Sequence, residues 1–151
     1  MPSHSKPEAV LFDLDGTLVD TASEFVTVVQ QMRRARNLEE LADQSIQSVV
    51  SDGAAGLIAL AFNCTPGMPG FDELRDEFLN AYEDQLGSSA QPYEGFRVLL
   101  QELSLQRIPW GVVTNKMRRF AEPLMTAMAF APPANALVTP CEVTQPKPHP
   151  E

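Results

Sequence analysis

The sequence predicts an α/β fold, a parallel sheet with helices on its faces, interrupted by an all-helical insertion. Three observations carry this. Short apolar runs at residues 8–14, 110–114 and 136–139 have the look of strands buried in a parallel sheet. Amphipathic patterns at 95–106 and 119–130 alternate with those runs, as in successive β–α–β units. Residues 20–88, between the first run and the second, carry only helical patterns, more chain than a crossover needs. The economical reading is a core of residues 1–19 and 90–151 with a helical domain of residues 20–89 set into it.

The elements follow in order. Residues 1–7 are a polar lead-in. The apolar run at 9–12 lies within the first strand, residues 8–14, and Gly16 turns the chain out of it. Thr21 and Glu24 have capping-box spacing and open a helix to about residue 36, with Phe25, Val28, Val29 and Met32 on one face. Arg33, Arg34 and Arg36 suit the negative end of its dipole and read as a solvated helix end. Residues 39–51 and 53–62 read as two more helices, separated at Gly53, and 63–70 as a Pro/Gly loop. Phe71, Leu74, Phe78, Tyr82 and Leu86 recur at three- and four-residue steps, a helical packing stripe. Residues 87–90 return to the core. Phe96, Leu99, Leu100 and Leu103 mark the inner face of the next helix, and Phe120, Leu124 and Met128 that of the one after. Pro123 is expected only near the first turn of the latter. Residues 144–151 form a polar, Pro-rich loop carrying Lys147.

Bulk properties exclude several classes. The chain has 151 residues, 44% hydrophobic, with formal net charge -9 from 11 basic and 20 acidic residues. Such acidity disfavours nucleic acid and anionic membranes as partners. It also repels phosphate esters at long range, so any phosphate site has to be built locally. No apolar stretch is expected to reach membrane-spanning length, and the first residues lack a signal-peptide core. Cys64 and Cys141 sit in no metal-ligand pattern and suit a reducing cytoplasm.

The chemistry concentrates at Asp13-Leu14-Asp15-Gly16-Thr17, where a strand delivers two carboxylates to the edge at which open α/β sheets bind ligands. Alternation along the strand would put Asp13 and Asp15 on one face if the strand ran that far. Two like charges there need a cation or a proton between them. The plain alternative is an Asp-Gly turn.

This stretch resembles motif I of the haloacid dehalogenase (HAD) superfamily of phosphatases. Val112-Val113-Thr114-Asn115 and Lys147-Pro148 match two later motifs in the right order. The resemblance implies a HAD-like Rossmannoid parallel sheet with an inserted all-helical cap. It implies Asp13 as nucleophile, forming an aspartyl phosphate, and Asp15 as general acid/base. Thr114, the Asn115 amide and Lys147 would bind phosphate. Mg²⁺ would be held by the Asp13 carboxylate and the Asp15 main-chain carbonyl. The second Asp favours phosphoester chemistry over carbon–halogen cleavage. Ser51, Asp52 and Gly53 fall where capped relatives carry a substrate-specificity loop, although a simple helix break explains them as well. Lys116 and Arg119 read as surface charges, and His149 as a loop residue.

The layout resembles the phosphoglycolate phosphatase branch. Trp110-Gly111-Val112-Val113-Thr114-Asn115-Lys116 and Arg119-Phe120-Ala121-Glu122-Pro123 are similar to the N-acetylmuramic acid 6-phosphate phosphatases of bacterial cell-wall recycling. A small phosphorylated metabolite is thus the implied substrate. The family's fourth motif, with further acidic Mg²⁺ ligands, normally follows the lysine on another strand. The expectation is a C-terminally truncated chain with a partial sheet. Two alternatives stand beside the hydrolase: a catalytically impaired or binding-only fragment, and a phosphomutase.

Overall fold

The computed structural model describes residues 6–150; of the lead-in at residues 1–7, residues 1–5 lie outside the described residues. The chain divides into two compact units, with boundaries after Asp20 and after Ala90.

The first unit is built on three parallel strands, β1 (Val10–Phe12), β4 (Trp110–Val113) and β5 (Ala136–Val138), in the order β1-β4-β5. Leu11 pairs with Gly111, and Gly111 in turn with Ala136. Helices α5 (Phe96–Leu105) and α6 (Arg118–Met128) supply Leu100, Phe120, Ala121 and Leu124 to the core. Phe12 meets Phe96 edge-on at 5.3 Å, and Trp110 meets Phe130 at 5.8 Å. β1 is shorter than its apolar run and is not buried on both faces. It lies at the edge of the sheet, and Leu11 is 64% exposed. Pro123 falls inside α6 and not in its first turn. It sits on the exposed side, where water can serve the carbonyl its missing N–H leaves.

A two-stranded antiparallel ladder joins β2 (Val19–Asp20) to β3 (Gln91–Pro92). It holds together the two points where the main chain leaves the first unit and returns.

The second unit, Thr21–Ala90, is helical: α1 (Ala22–Arg34), α2 (Asp43–Gln47), a 3-10 turn (Val50–Asp52), α3 (Gly53–Phe62) and α4 (Phe71–Gln85). Its core stacks Phe25 on Tyr82 with centroids 4.5 Å apart, over buried Val28, Val29, Leu57 and Ile58. The helix expected over 39–51 is only five residues long. The Gln30 side chain explains this: it donates to the Leu41 carbonyl at 2.6 Å and accepts from the Leu41 amide at 3.2 Å, holding that backbone outside a helix. The Thr21–Glu24 capping box does not form either. Glu24 is fully buried and accepts instead from the Ser89 and Ala90 amides at 3.3 and 3.1 Å.

The arginines closing α1 are not a plain solvated end. Arg33 donates to the Glu39 carbonyl at 2.7 Å and to the Ala61 carbonyl of α3. Arg36 grips Glu77 of α4 through two bonds of 2.9 and 2.6 Å, which hold the Glu77 carboxyl below its ordinary range. Contrary to the sequence expectation, residues Asp43–Phe62 are apolar and numerous enough to count as a membrane span, with mean hydropathy 1.4. Their longest regular helix is nevertheless α3, of 10 residues. At 1.5 Å per residue it covers about 15 Å, half the hydrocarbon thickness.

Candidate active site

Parallel strands end their ladders on one edge, and there the chain places its acidic and basic groups. β1 stops at Phe12. Asp13 and Asp15 are therefore positioned by the turn that follows, not by strand alternation. In that turn the Leu18 and Val19 amides both donate to the Leu14 carbonyl at 3.0 Å, and the Gly16 amide donates to the Val19 carbonyl at 2.9 Å. Gly16 sits at φ 73, a left-handed conformation that a residue with a Cβ adopts only with strain. The Leu14 amide donates to Asp13 Oδ1 at 2.8 Å, which fixes that carboxylate at the strand end.

Two lysines arrive from distant parts of the chain. Lys147 Nζ lies 2.7 Å from Asp13 Oδ1 and also donates to the Val113 carbonyl at 2.9 Å. Its backbone is clamped by the Asn115 carboxamide. Asn115 Nδ2 donates to the Lys147 carbonyl and the Lys147 amide donates to Asn115 Oδ1, both at 3.0 Å. The carboxamide thus pairs with the Lys147 backbone much as a neighbouring strand would. Lys116 Nζ lies 2.8 Å from Asp15 Oδ1, with only 6% of its side chain exposed.

Thr114 extends the β4–β5 ladder by one bond, its amide donating to the Val138 carbonyl at 3.0 Å. Its buried hydroxyl accepts from the Lys116 amide at 3.1 Å, so its single O–H proton is what it can offer a ligand.

The structure therefore links Asp13, Asn115 and Lys147 through direct bonds, and Thr114, Lys116 and Asp15 through a second chain of them. Ser51, Asp52 and Gly53 belong to the second unit and are exposed: Ser51 and Asp52 lie in the 3-10 turn before α3, and Gly53, at φ 67, opens that helix. Arg119 is exposed and lies over the Phe120 ring at 4.4 Å, as its surface reading requires. Lys116 corrects the sequence reading: it is a buried partner of Asp15, not a surface charge. Its position, directly after a strand end and two residues from Thr114, was the one available signal.

Two carboxylates balanced by two ammoniums can receive an oxyanion and carry out nucleophilic and proton-transfer chemistry. Among the described residues no group of three His, Cys, Asp or Glu side chains gathers around one point. The oxygen-only donors of Asp13 and Asp15 nevertheless suit Mg²⁺, which binds through one or two carboxylates and leaves the rest of its shell to water and phosphate.

The parallel sheet, with its acidic strand end and helical second unit, defines a class of fold. It matches, with TM-score 0.82 and 22% identity, the crystal structure of a predicted phosphoglycolate phosphatase from Haemophilus somnus 129pt, covering 97% of this chain and 68% of that one. The model of the haloacid dehalogenase-like hydrolases matches residues 10–151, and the chain belongs to that family. It is 43% identical over 144 residues to the N-acetylmuramic acid 6-phosphate phosphatase of Pseudomonas aeruginosa, covering 95% of this chain and 64% of the relative. It is 35% identical to a phosphoglycolate phosphatase of Xanthomonas campestris pv. campestris, covering 95% and 65% respectively. The chain thus spans a little under two thirds of the length of these relatives.

Proposed function

We propose that the chain carries the phosphoryl-transfer centre of a Mg²⁺-dependent phosphomonoester hydrolase. The observation that carries this reading is the bond between Lys147 and Asp13, 134 residues apart, at the end of β1. It places an ammonium beside the Asp13 carboxylate, which the Leu14 amide already holds in place. An anion attacking an anion needs such compensation.

Asp13 attacks phosphorus; the P–O ester bond breaks, and its electron pair leaves with the alkoxide. Asp15 supplies the proton that alkoxide needs, then takes one from the water that attacks the aspartyl phosphate. Cleavage of that second P–O bond frees Asp13 and inorganic phosphate. Thr114, the Asn115 amide and Lys147 bind the phosphoryl oxygens. The Asp13 carboxylate and the Asp15 main-chain carbonyl would hold Mg²⁺, which supplies further charge neutralisation at those oxygens.

The second unit is read as the cap, with Ser51, Asp52 and Gly53 on its substrate-selecting turn. Their exposure and the sharp backbone at Gly53 support this. The relatives' names point to N-acetylmuramic acid 6-phosphate or phosphoglycolate as substrate, and the enzyme is read as a cytoplasmic one acting on such a metabolite. Two free cysteines, Cys64 and Cys141, accord with that compartment.

The test is to trap the intermediate. With Mg²⁺ and radiolabelled acetyl phosphate the chain is expected to take up acid-stable, hydroxylamine-labile label. Asp13→Asn should take up none. A wild-type chain that stays unlabelled and hydrolyses neither substrate would overturn the proposal.

A further inference from the structure

We infer that Lys116 is a positioning residue for Asp15, holding the proton-transfer carboxylate in one orientation. The inference rests on the phosphatase reading above and extends it to a residue that reading leaves without a role.

Three observations lead to it. Lys116 Nζ lies 2.8 Å from Asp15 Oδ1, and the lysine side chain is 6% exposed against 34% for Lys147. A lysine this buried has given up most of its hydration, and lysines do so only where an acid compensates them. Second, the Lys116 backbone is itself fixed, its amide bonded to the Thr114 hydroxyl at 3.1 Å. The ammonium is therefore carried on an anchored stem and can hold the orientation of what it bonds. Third, the four charged side chains Asp13, Asp15, Lys116 and Lys147 sum to zero. Removing Lys116 leaves a net negative centre and an Asp15 side chain without its charged anchor. Proton transfer to a leaving group depends on a fixed donor within hydrogen-bond reach.

A residue that acts only through the acid/base should matter in proportion to how much protonation the leaving group needs. p-Nitrophenolate departs with little help; an alkoxide does not. In Lys116→Met, kcat/KM, which reports the steps through leaving-group departure and not the later attack of water, is expected to fall about 10- to 100-fold for an alkyl phosphate, a share of the roughly 10²- to 10⁴-fold that acid–base catalysis provides. The kcat/KM for p-nitrophenyl phosphate should stay within about threefold. Lys116→Arg should recover most of the loss. Binding of inorganic phosphate, followed by isothermal titration, should stay within about twofold, whereas Lys147→Met should weaken it about tenfold or more.

The pair is then closed as a cycle. In an Asp15→Asn background, Lys116→Met should change neither ester's rate further. Equal loss of kcat/KM on both esters, or an undiminished effect of Lys116→Met in the Asp15→Asn background, overturns the assignment. So does loss of phosphate binding with the ester ratio unchanged, which would make Lys116 a phosphate ligand. If Lys116→Met does not fold, Lys116→Gln, which removes the charge and keeps a polar end, carries the same comparison alone and in the Asp15→Asn background. A wild-type chain that hydrolyses neither ester and forms no phosphoenzyme overturns the phosphatase reading itself, and this assignment with it.

Discussion

At the scale of single residues, the site depends on how a lysine from a loop is made rigid. Lys147 has a polar, Pro-rich neighbourhood and no regular element to hold it. Its two backbone bonds to the Asn115 side chain take that place. Each such bond contributes about 0.5–1.5 kcal/mol net, so losing both loosens the lysine by about 1–3 kcal/mol. Asn115→Ala is accordingly expected to raise KM for a phosphomonoester about tenfold, with a smaller change in kcat, in steady-state assays. Asn115→Asp should do more harm, because a carboxylate cannot donate to the Lys147 carbonyl and repels it. A KM unchanged in both variants would contradict the clamp. Asp13, Asp15, Thr114 and Lys147 were legible in the sequence because each belongs to a short run with its own local signature. The pairing of Lys116 with Asp15 was not, because it joins positions 101 residues apart. Glu24 failed for a related reason: its spacing from Thr21 is that of a capping box, but burial against the Ser89 and Ala90 amides offers the carboxylate two donors instead.

At the scale of elements, the end of β5 is tied to the start of α6 by one acidic side chain. Glu142 accepts from Arg118 Nε at 2.8 Å and from the Thr139 amide and hydroxyl at 2.7 Å each. The Arg118 guanidinium first, and the two Thr139 donors after it, hold the Glu142 carboxyl down at about 2, against an ordinary 4.5. A carboxyl depressed in the folded state stabilises it fully above the unfolded value, and that contribution is lost as pH falls toward the folded one. The difference in melting temperature between wild type and Glu142→Gln should therefore be largest near neutrality. It should shrink as pH drops from about 4.5 toward 2. A difference that grows on acidification would refute the clamp. The identities of the three parallel strands and of the longer helices followed from periodicity, whereas their ends and the two-residue strands β2 and β3 did not. The helix expected over residues 39–51 shrank to α2 because Gln30 captured the Leu41 backbone from another helix. The apolar run of β1 lies at the edge of the sheet with Leu11 exposed, as the partial sheet expected from the sequence implies.

At the scale of the whole molecule, the charges of the site and of the chain oppose each other. The four paired groups at the strand ends sum to zero, while the chain as a whole carries a formal charge of -9. A dianionic ester therefore approaches through a repulsive field and meets compensation only at contact. At low ionic strength this field extends tens of ångströms, about 30 Å at 0.01 M, and it shrinks to about 8 Å at 0.15 M. Added inert salt should screen the long-range repulsion more than the close contacts with Lys147 and Thr114. The expected result is that kcat/KM for a dianionic monoester rises as an inert salt such as potassium chloride is raised over that range, chiefly through KM. A neutral-site enzyme with a basic approach path would show the opposite slope, because salt would then remove attraction. If kcat/KM falls with salt, the acidic side chains do not govern the approach, and the lysine pairs would have to project a positive field beyond the strand ends.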